Sequence, residues 1–302
     1  MGRKQPLAAG APGLRPPAAG GPSRRPLDDN RWLFQHGPID LVIGCDGDAA
    51  TCREAIDDAW RRFAGVLAEL VPVLAQLRSP VTAPPSWTPD AAAMPIAARM
   101  VAACRPFAER HRLFITPMAA VAGAVADEIA TCFARDGIRR AYVNNGGDIA
   151  LHLVPGERYE LGVVTRLEAP AIDGRFSIDA AAPVRGVATS GWRGRSFSLG
   201  IADAVTVLAA TGAAADAAAT LVANRVDVAS PAVTRRPANQ LKDDTDLGEL
   251  LVTVAVGRLS QVEVAQALAA GAAFAEQLRQ EGLIAAAALS LNGEARVVRA
   301  RP

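Results

Sequence analysis

The chain has 302 residues, 50% of them hydrophobic, and 32 basic against 31 acidic side chains, for a formal net charge of +1. That length and apolar share exclude a wholly disordered chain and are ample for a sizeable core in one large domain or two small ones. Near-neutral charge and 5% aromatic residues remove the electrostatic and stacking grounds for nucleic-acid binding, and leave nothing to attract an anionic membrane surface.

Residues 1–27 are rich in Pro, Gly, Ala and Arg without periodicity. Prolines interrupt any secretory apolar run, so this stretch reads as a disordered arm, and 28–302 as a single domain. Leu41–Gly44 reads as a short strand, and Asp48–Leu77 as one long helix or two, with Ile56, Trp60, Phe63, Val66, Leu67 and Leu70 at helical spacing. Residues 79–95 carry five prolines and form a loop before a second helix over 96–111. Thr116 suits a helix N-cap with Pro117 at the first helical position, the helix running to Arg135 and stopping at Gly137. Ala119, Ala120, Gly123 and Ala124 leave its first turns nearly bare. Such a surface serves tight packing, the commoner use, or the approach of a phosphate to backbone N–H groups.

Strands follow at 141–143 and 149–154 around the turn Asn144–Asp148, then at 159–164, 176–179, 184–189 and 204–208. A helix spans 213–224, a strand 250–256 and a capped helix 260–280. The segments 283–291 and 295–298 pair through Asn292-Gly293. Hairpin-paired strands interspersed with long helices indicate an α+β fold of antiparallel or mixed sheets flanked by helices. The most apolar run, 201–222, is broken by Asp203 and Asp216, so no membrane span is expected and the location expected is cytoplasmic. Cys45, Cys52, Cys104 and Cys132 match no zinc-ligand spacing, and His36, His111 and His152 give no triad or metal signature.

Two stretches carry the chemistry. Gly186-Val187-Ala188-Thr189-Ser190-Gly191 is a strand running into a small-residue turn that leaves the backbone open to a ligand. Ala215-Asp216-Ala217-Ala218-Ala219-Thr220 places a carboxylate and a hydroxyl at i and i+4 on one helix face, oxygen donors that suit Mg²⁺. On these residues alone, Asp216 as a first-turn acid favoured by the helix dipole is the stronger reading. Likewise Asn144-Asn145-Gly146-Gly147-Asp148 is by itself an ordinary hairpin turn.

Taken together, these stretches and Thr116–Asp127, with Thr-Pro-Met-Ala-Ala-Val-Ala-Gly-Ala-Val-Ala-Asp, stand in the order and spacing of the ApbE-like proteins. That family includes the FAD-dependent protein flavin (FMN) transferases once linked to thiamine biosynthesis. The full phrases, with Ser198–Val207 added, look closer still to an uncharacterised sister family, and the resemblance covers about Trp32 to Val298. It implies a flavin-nucleotide cleft lined by Ala119, Ala120, Asn145, Gly146, Gly147, Asp148, Thr189, Ser190 and Gly191. It also implies a Mg²⁺ ion held by Asp216, Thr220 and a backbone carbonyl at Ala120. There Mg²⁺ neutralises the FAD pyrophosphate while a substrate hydroxyl attacks, releasing AMP. Two departures stand out: Ala122 occupies the place of the family's lysine, and Ser196–Gly200 replaces its His-x-x-Asp-Pro segment. The expectation is therefore a cleft for a small phosphate-bearing ligand, flavin or similar, with Mg²⁺ and possible transferase chemistry. The alternatives are a non-catalytic flavin-binding or accessory protein, and a role in tetrahydromethanopterin-linked one-carbon metabolism.

Overall fold

The computed structural model describes residues 7–8, 20–163 and 174–299. It is α+β, as expected. The strands are β1 (Leu7–Ala8), β2 (Ser23–Pro26), β3 (Arg31–His36), β4 (Ile39–Gly47), β5 (Ile138–Asn145), β6 (Asp148–Leu153), β7 (Arg158–Val163), β8 (Gly174–Asp179), β9 (Gly186–Ser190), β10 (Ala204–Ala209), β11 (Val233–Pro237), β12 (Leu251–Val256), β13 (Ala286–Leu291) and β14 (Glu294–Arg299). The helices are α1 (Ala49–Ala64), α2 (Val66–Leu70), α3 (Leu74–Leu77), α4 (Pro95–His111), α5 (Val121–Ala130), α6 (Gly212–Arg225) and α7 (Gln261–Gln280).

Among the described residues, nine strands form one sheet in the order β14-β13-β10-β9-β6-β5-β4-β3-β2, while β1-β7-β8 and β11-β12 form smaller sheets. Strand periodicity divides the core in two. Ile43, Val143, Ala150, Ala188, Val205 and Val207 point toward the helices and join the larger core. Tyr142, Ile149, Leu151, Val187 and Leu208 point the other way and pack with Tyr159, Leu161 and Ile178 of the β7–β8 hairpin. The sheet is thus covered on both faces, by helices on one and by a hairpin on the other.

Several starts and stops are local. Asp48 caps α1 by accepting from Ala50 N (3.0 Å) and Thr51 N (2.9 Å). Ser260 and Glu263 form a reciprocal capping box at α7. Asn292 and Gly293, both with positive φ, close the β13–β14 hairpin. Thr116 departs from expectation. Its side chain caps nothing; Pro117–Ala120 is a 3-10 turn before α5, and the buried Thr116 hydroxyl donates to the carboxylate of Asp246. A distant carboxylate has out-competed the local N–H groups. The end differs too: α5 stops at Ala130 and Thr131–Phe133 is another 3-10 turn.

Ser23–Pro26 lies in the stretch whose composition suggests a disordered arm, yet it is the edge strand beside β3. Arg24 explains this. Its guanidinium sits 5.7 Å from the centroid of the Trp32 ring and 5.5 Å from that of Trp60, and it pairs with Asp57 at 2.6 Å. A cation over two indoles holds a strand that hydropathy alone would not place. The rest of the proposed arm, 1–6 and 9–19, lies outside the described residues.

The sharpest packing constraint is where α5 meets α6. A Cβ on Gly123 would lie 2.2 Å from the carbonyl oxygen of Gly212, and one on Gly186 of β9 would lie 2.0 Å from the Thr211 carbonyl carbon. Ala215, Ala217, Ala218 and Ala219 are fully buried around this contact. Small residues here let two helices and a strand approach backbone to backbone.

Gly123→Ala should therefore lower the unfolding free energy by about 1–3 kcal/mol, the usual scale for overpacking. Gly65→Ala, where the nearest atom to a new Cβ is 3.7 Å away, should be neutral or slightly stabilising. Urea titrations of both variants test this. Equal midpoints for the two would remove the steric argument.

Candidate functional site

The helices α5 and α6 begin beside one another, and each begins with N–H groups that the helix itself cannot satisfy. The two exchange carboxylates. Asp127 on α5 accepts from Gly212 N (2.7 Å) and Ala213 N (2.8 Å) at the start of α6, where Thr211 Oγ1 also accepts from Ala214 N (3.1 Å). Asp216 on α6 accepts from Gly123 N (3.0 Å) and from Ala122 N at the start of α5. Asn145, buried at the end of β5, donates to the Ala122 carbonyl (3.1 Å) and fixes that first turn over the sheet.

Asp216 is therefore not an exposed first-turn acid. Thr211 is the N-cap and α6 starts at Gly212, so Asp216 sits one turn further in, half-buried and facing α5. The bare surface at Gly123 serves packing, and the N–H groups of residues 122, 123, 212, 213 and 214 are already bonded to side chains.

Below this crossing lies one end of strands β5, β6 and β9. Alternation turns Asn145, Asp148 and Ser190 to the helical face. The β5–β6 turn has φ +66° at Gly146 and +119° at Gly147, and Gly147 N donates to Asn144 Oδ1 (2.8 Å). Asp148 Oδ1 accepts from Thr189 N at 3.2 Å. The Thr189 side chain points to the opposite face and meets Thr206 Oγ1 at 2.9 Å. Gly191 lies against the backbone of 202–203, where a Cβ would be 2.4 Å from the Asp203 carbonyl oxygen.

Electrostatics marks the same place. Desolvation pushes the Asp148 carboxyl up to about 7, against the Thr189 N–H and the Arg195 charge, which hold it down. Desolvation also pushes Asp216 well above the usual carboxylate range, and the negative charge of Asp148 adds to the rise. Asp127 moves the same way through desolvation, opposed by its bonds to Ala213 and Gly212. Asp216 thus feels the negative charge of both Asp148 and Asp127 from a half-buried position.

The other site residues expected from sequence are dispersed around this centre. Ala120 is fully buried in the 3-10 turn that packs against α6, with Ala119 half-buried beside it. Thr220 is half-buried one turn beyond Asp216 on α6. The described residues contain no group of three or more His, Cys, Asp and Glu side chains set to hold a metal. A pocket of about 290 Å³ lined by Thr82, Trp87, Val101 and Pro117 shares none of the carboxylates. Arg195 belongs to the constellation and no sequence signal singled it out. It comes from the connection between β9 and β10, and only the fold brings its guanidinium over Gly146. No described helix is long and apolar enough to cross a membrane.

The chain belongs to the AbpE bacteria family, whose model matches residues 24–297. It is 40% identical over 115 residues to a UPF0280 protein of Methanoculleus marisnigri, covering 37% of this chain and 46% of that protein. A UPF0280 protein of Methanopyrus kandleri is 34% identical over 161 residues, or 53% of this chain and 61% of its own length. One from Methanocella arvoryzae is 41% identical over 118 residues, 38% of this chain and 47% of its own. The chain spans about half the length of the curated relatives it matches.

The raised Asp148 carboxyl carries a pH dependence. Unfolded, the group loses its proton near the ordinary aspartate value of 3.8; folded, it keeps it to about 7. Between those values the native state binds more protons, so its contribution to stability falls as pH rises, by roughly 1.4 kcal/mol per pH unit at most. In metal-free buffer, Asp148→Asn should shrink the loss of stability between pH 5 and 7 relative to wild type. Parallel pH profiles for the two proteins would overturn the assignment.

Proposed function

We propose that the cleft beneath the α5–α6 crossing binds a phosphate-bearing ligand of the flavin-nucleotide kind together with Mg²⁺. The observation that carries this reading is the pair Asp148 and Asp216, from a strand and a helix far apart in sequence, whose carboxylates share one poorly solvated place. Two such charges are unfavourable together unless protonated or neutralised. A divalent cation neutralises both.

The donor chemistry fits magnesium. A carboxylate has about four lone-pair sites, and the backbone bonds to Asp148 and Asp216 leave some of them unused. Asp216, Thr220 and the Ala120 carbonyl would hold the ion, with Asp148 facing them, and Mg²⁺ commonly takes one or two carboxylates and fills its shell with water and phosphate. When bound, the ion supplies charge neutralisation to a pyrophosphate. The protein's own residues do the rest. Asn145 and the Asp127 cap fix the two helices that carry the ligands. At Gly147 the space a Cβ would take is open, with no atom within 4 Å, so a ligand can approach the backbone there. Ser190, half-buried on the helical face, continues the lining.

Calorimetric titration of wild type and Asp216→Asn with FAD, with and without MgCl₂, tests the reading. FAD affinity should rise with Mg²⁺, and Mg²⁺ affinity with FAD by the same factor. Asp216→Asn should lose most of that coupling, about tenfold or more, and keep its fold, because the asparagine carbonyl still accepts from Gly123 N. Identical, metal-independent binding by both proteins would remove the metal. A wild type that binds no FAD would remove the flavin nucleotide.

A further inference from the structure

The connection between β9 and β10 is tied down along its length. Trp192 N donates to the Ala202 carbonyl (3.0 Å) and Gly194 N to the Gly191 carbonyl (3.1 Å). The Asp203 carboxylate collects Trp192 Nε1 (3.3 Å), Arg193 Nε (3.0 Å) and Asn292 N (2.6 Å). The side chains of Trp192 and Arg193 thus fold back onto the base of the loop, and Arg193 lies 4.6 Å from the Trp192 ring centroid.

Arg195 does the opposite. It reaches across to the β5–β6 turn, where a Cβ on Gly146 would lie 2.0 Å from its Nη2. Any side chain at position 146 would displace the guanidinium, so glycine there keeps a seat for it. Within that seat the guanidinium forms no hydrogen bond or ion pair with the described residues. It lies close enough to Asp148 for its charge to act on that carboxyl. A planar cation with five N–H donors is thus held over the β5–β6 turn, its donors unspent among the described residues.

We propose that Arg195 is the anion anchor of the site, taking a phosphate or pyrophosphate group of a small-molecule ligand through its guanidinium edge. The proposal rests on the cleft reading above and adds the group that recognises the ligand's charge. Bidentate pairing with phosphate oxygens is the geometry a guanidinium offers and an ammonium does not. Its position over Gly146, near enough to Asp148 for its charge to act there, would bring a bound anion to the Asp148 side of the site.

The test uses the full chain and three variants, Arg195→Gln, Arg195→Lys and Asp216→Asn, titrated calorimetrically with inorganic pyrophosphate, FAD and riboflavin, with and without MgCl₂. Arg195 is exposed, so thermal melts of its variants should match wild type. Arg195→Gln should weaken pyrophosphate and FAD binding ten- to hundredfold, the scale of a lost charged hydrogen-bonding pair. Arg195→Lys should recover part of it, and riboflavin, which lacks phosphate, should bind wild type and Arg195→Gln alike. Undiminished pyrophosphate binding by Arg195→Gln, or no pyrophosphate binding by wild type in either buffer, overturns the anchor. Pyrophosphate binding that needs Arg195 but ignores both MgCl₂ and Asp216→Asn upholds the anchor and removes the metal. Binding that needs MgCl₂ and Asp216 but not Arg195 does the reverse.

Discussion

The exchange of carboxylates between the starts of α5 and α6 is the constraint on which the rest of the site depends. A helix leaves its first N–H groups without partners, and burying them without replacement costs free energy for each. Here neither helix can be completed alone. Asp127 finishes α6 and Asp216 finishes α5, and the exchange works only at the separation that Gly123 and Gly212 allow. The sheet is drawn into the same arrangement through Gly186 under Thr211 and Asn145 under Ala122. Helix pair and strand ends are positioned together, by groups that would be costly if separated.

Much of the fold was legible because the signals are local. The Ser260–Glu263 capping box, the Asn292-Gly293 hairpin and the Asp48 start lie within a few residues of the elements they specify. Where distant groups decide, the local reading failed. Thr116 has the look of an N-cap, yet its hydroxyl belongs to Asp246, 130 residues away. Ser23–Pro26 is polar and ends on a proline, yet two indoles and Asp57 hold it as a strand. Periodicity reports what a segment does with its own neighbours, and tertiary competition overrides it.

The site divides along the same line. The small-residue turns at 144–148 and 186–191 stand out in the sequence, and the structure sets them at one end of neighbouring strands. The place of Asp216 was visible to within one turn of the helix, but not its direction, because that depends on where α6 begins and what lies across from it. Arg195 was illegible. It stands in a loop with no periodicity, and its meaning comes from Gly146, in a different hairpin.

One carboxylate therefore has two duties that pull against each other. As the partner of Gly123 and Ala122, Asp216 is best ionised, since backbone N–H groups favour the charged form. As the neighbour of Asp148 and Asp127 in a desolvated place, it is best neutral, and desolvation outweighs the N–H bonds. Proton retention settles this: Asp216 gives up its proton only above the usual carboxylate range. A cation offers a different settlement, because it removes the repulsion without weakening the N–H bonds that join the helices. Whatever binds the folded chain in preference to the unfolded one adds its binding free energy to stability. On the reading proposed above, a cation bound between these carboxylates would therefore add to the cohesion of the α5–α6 crossing.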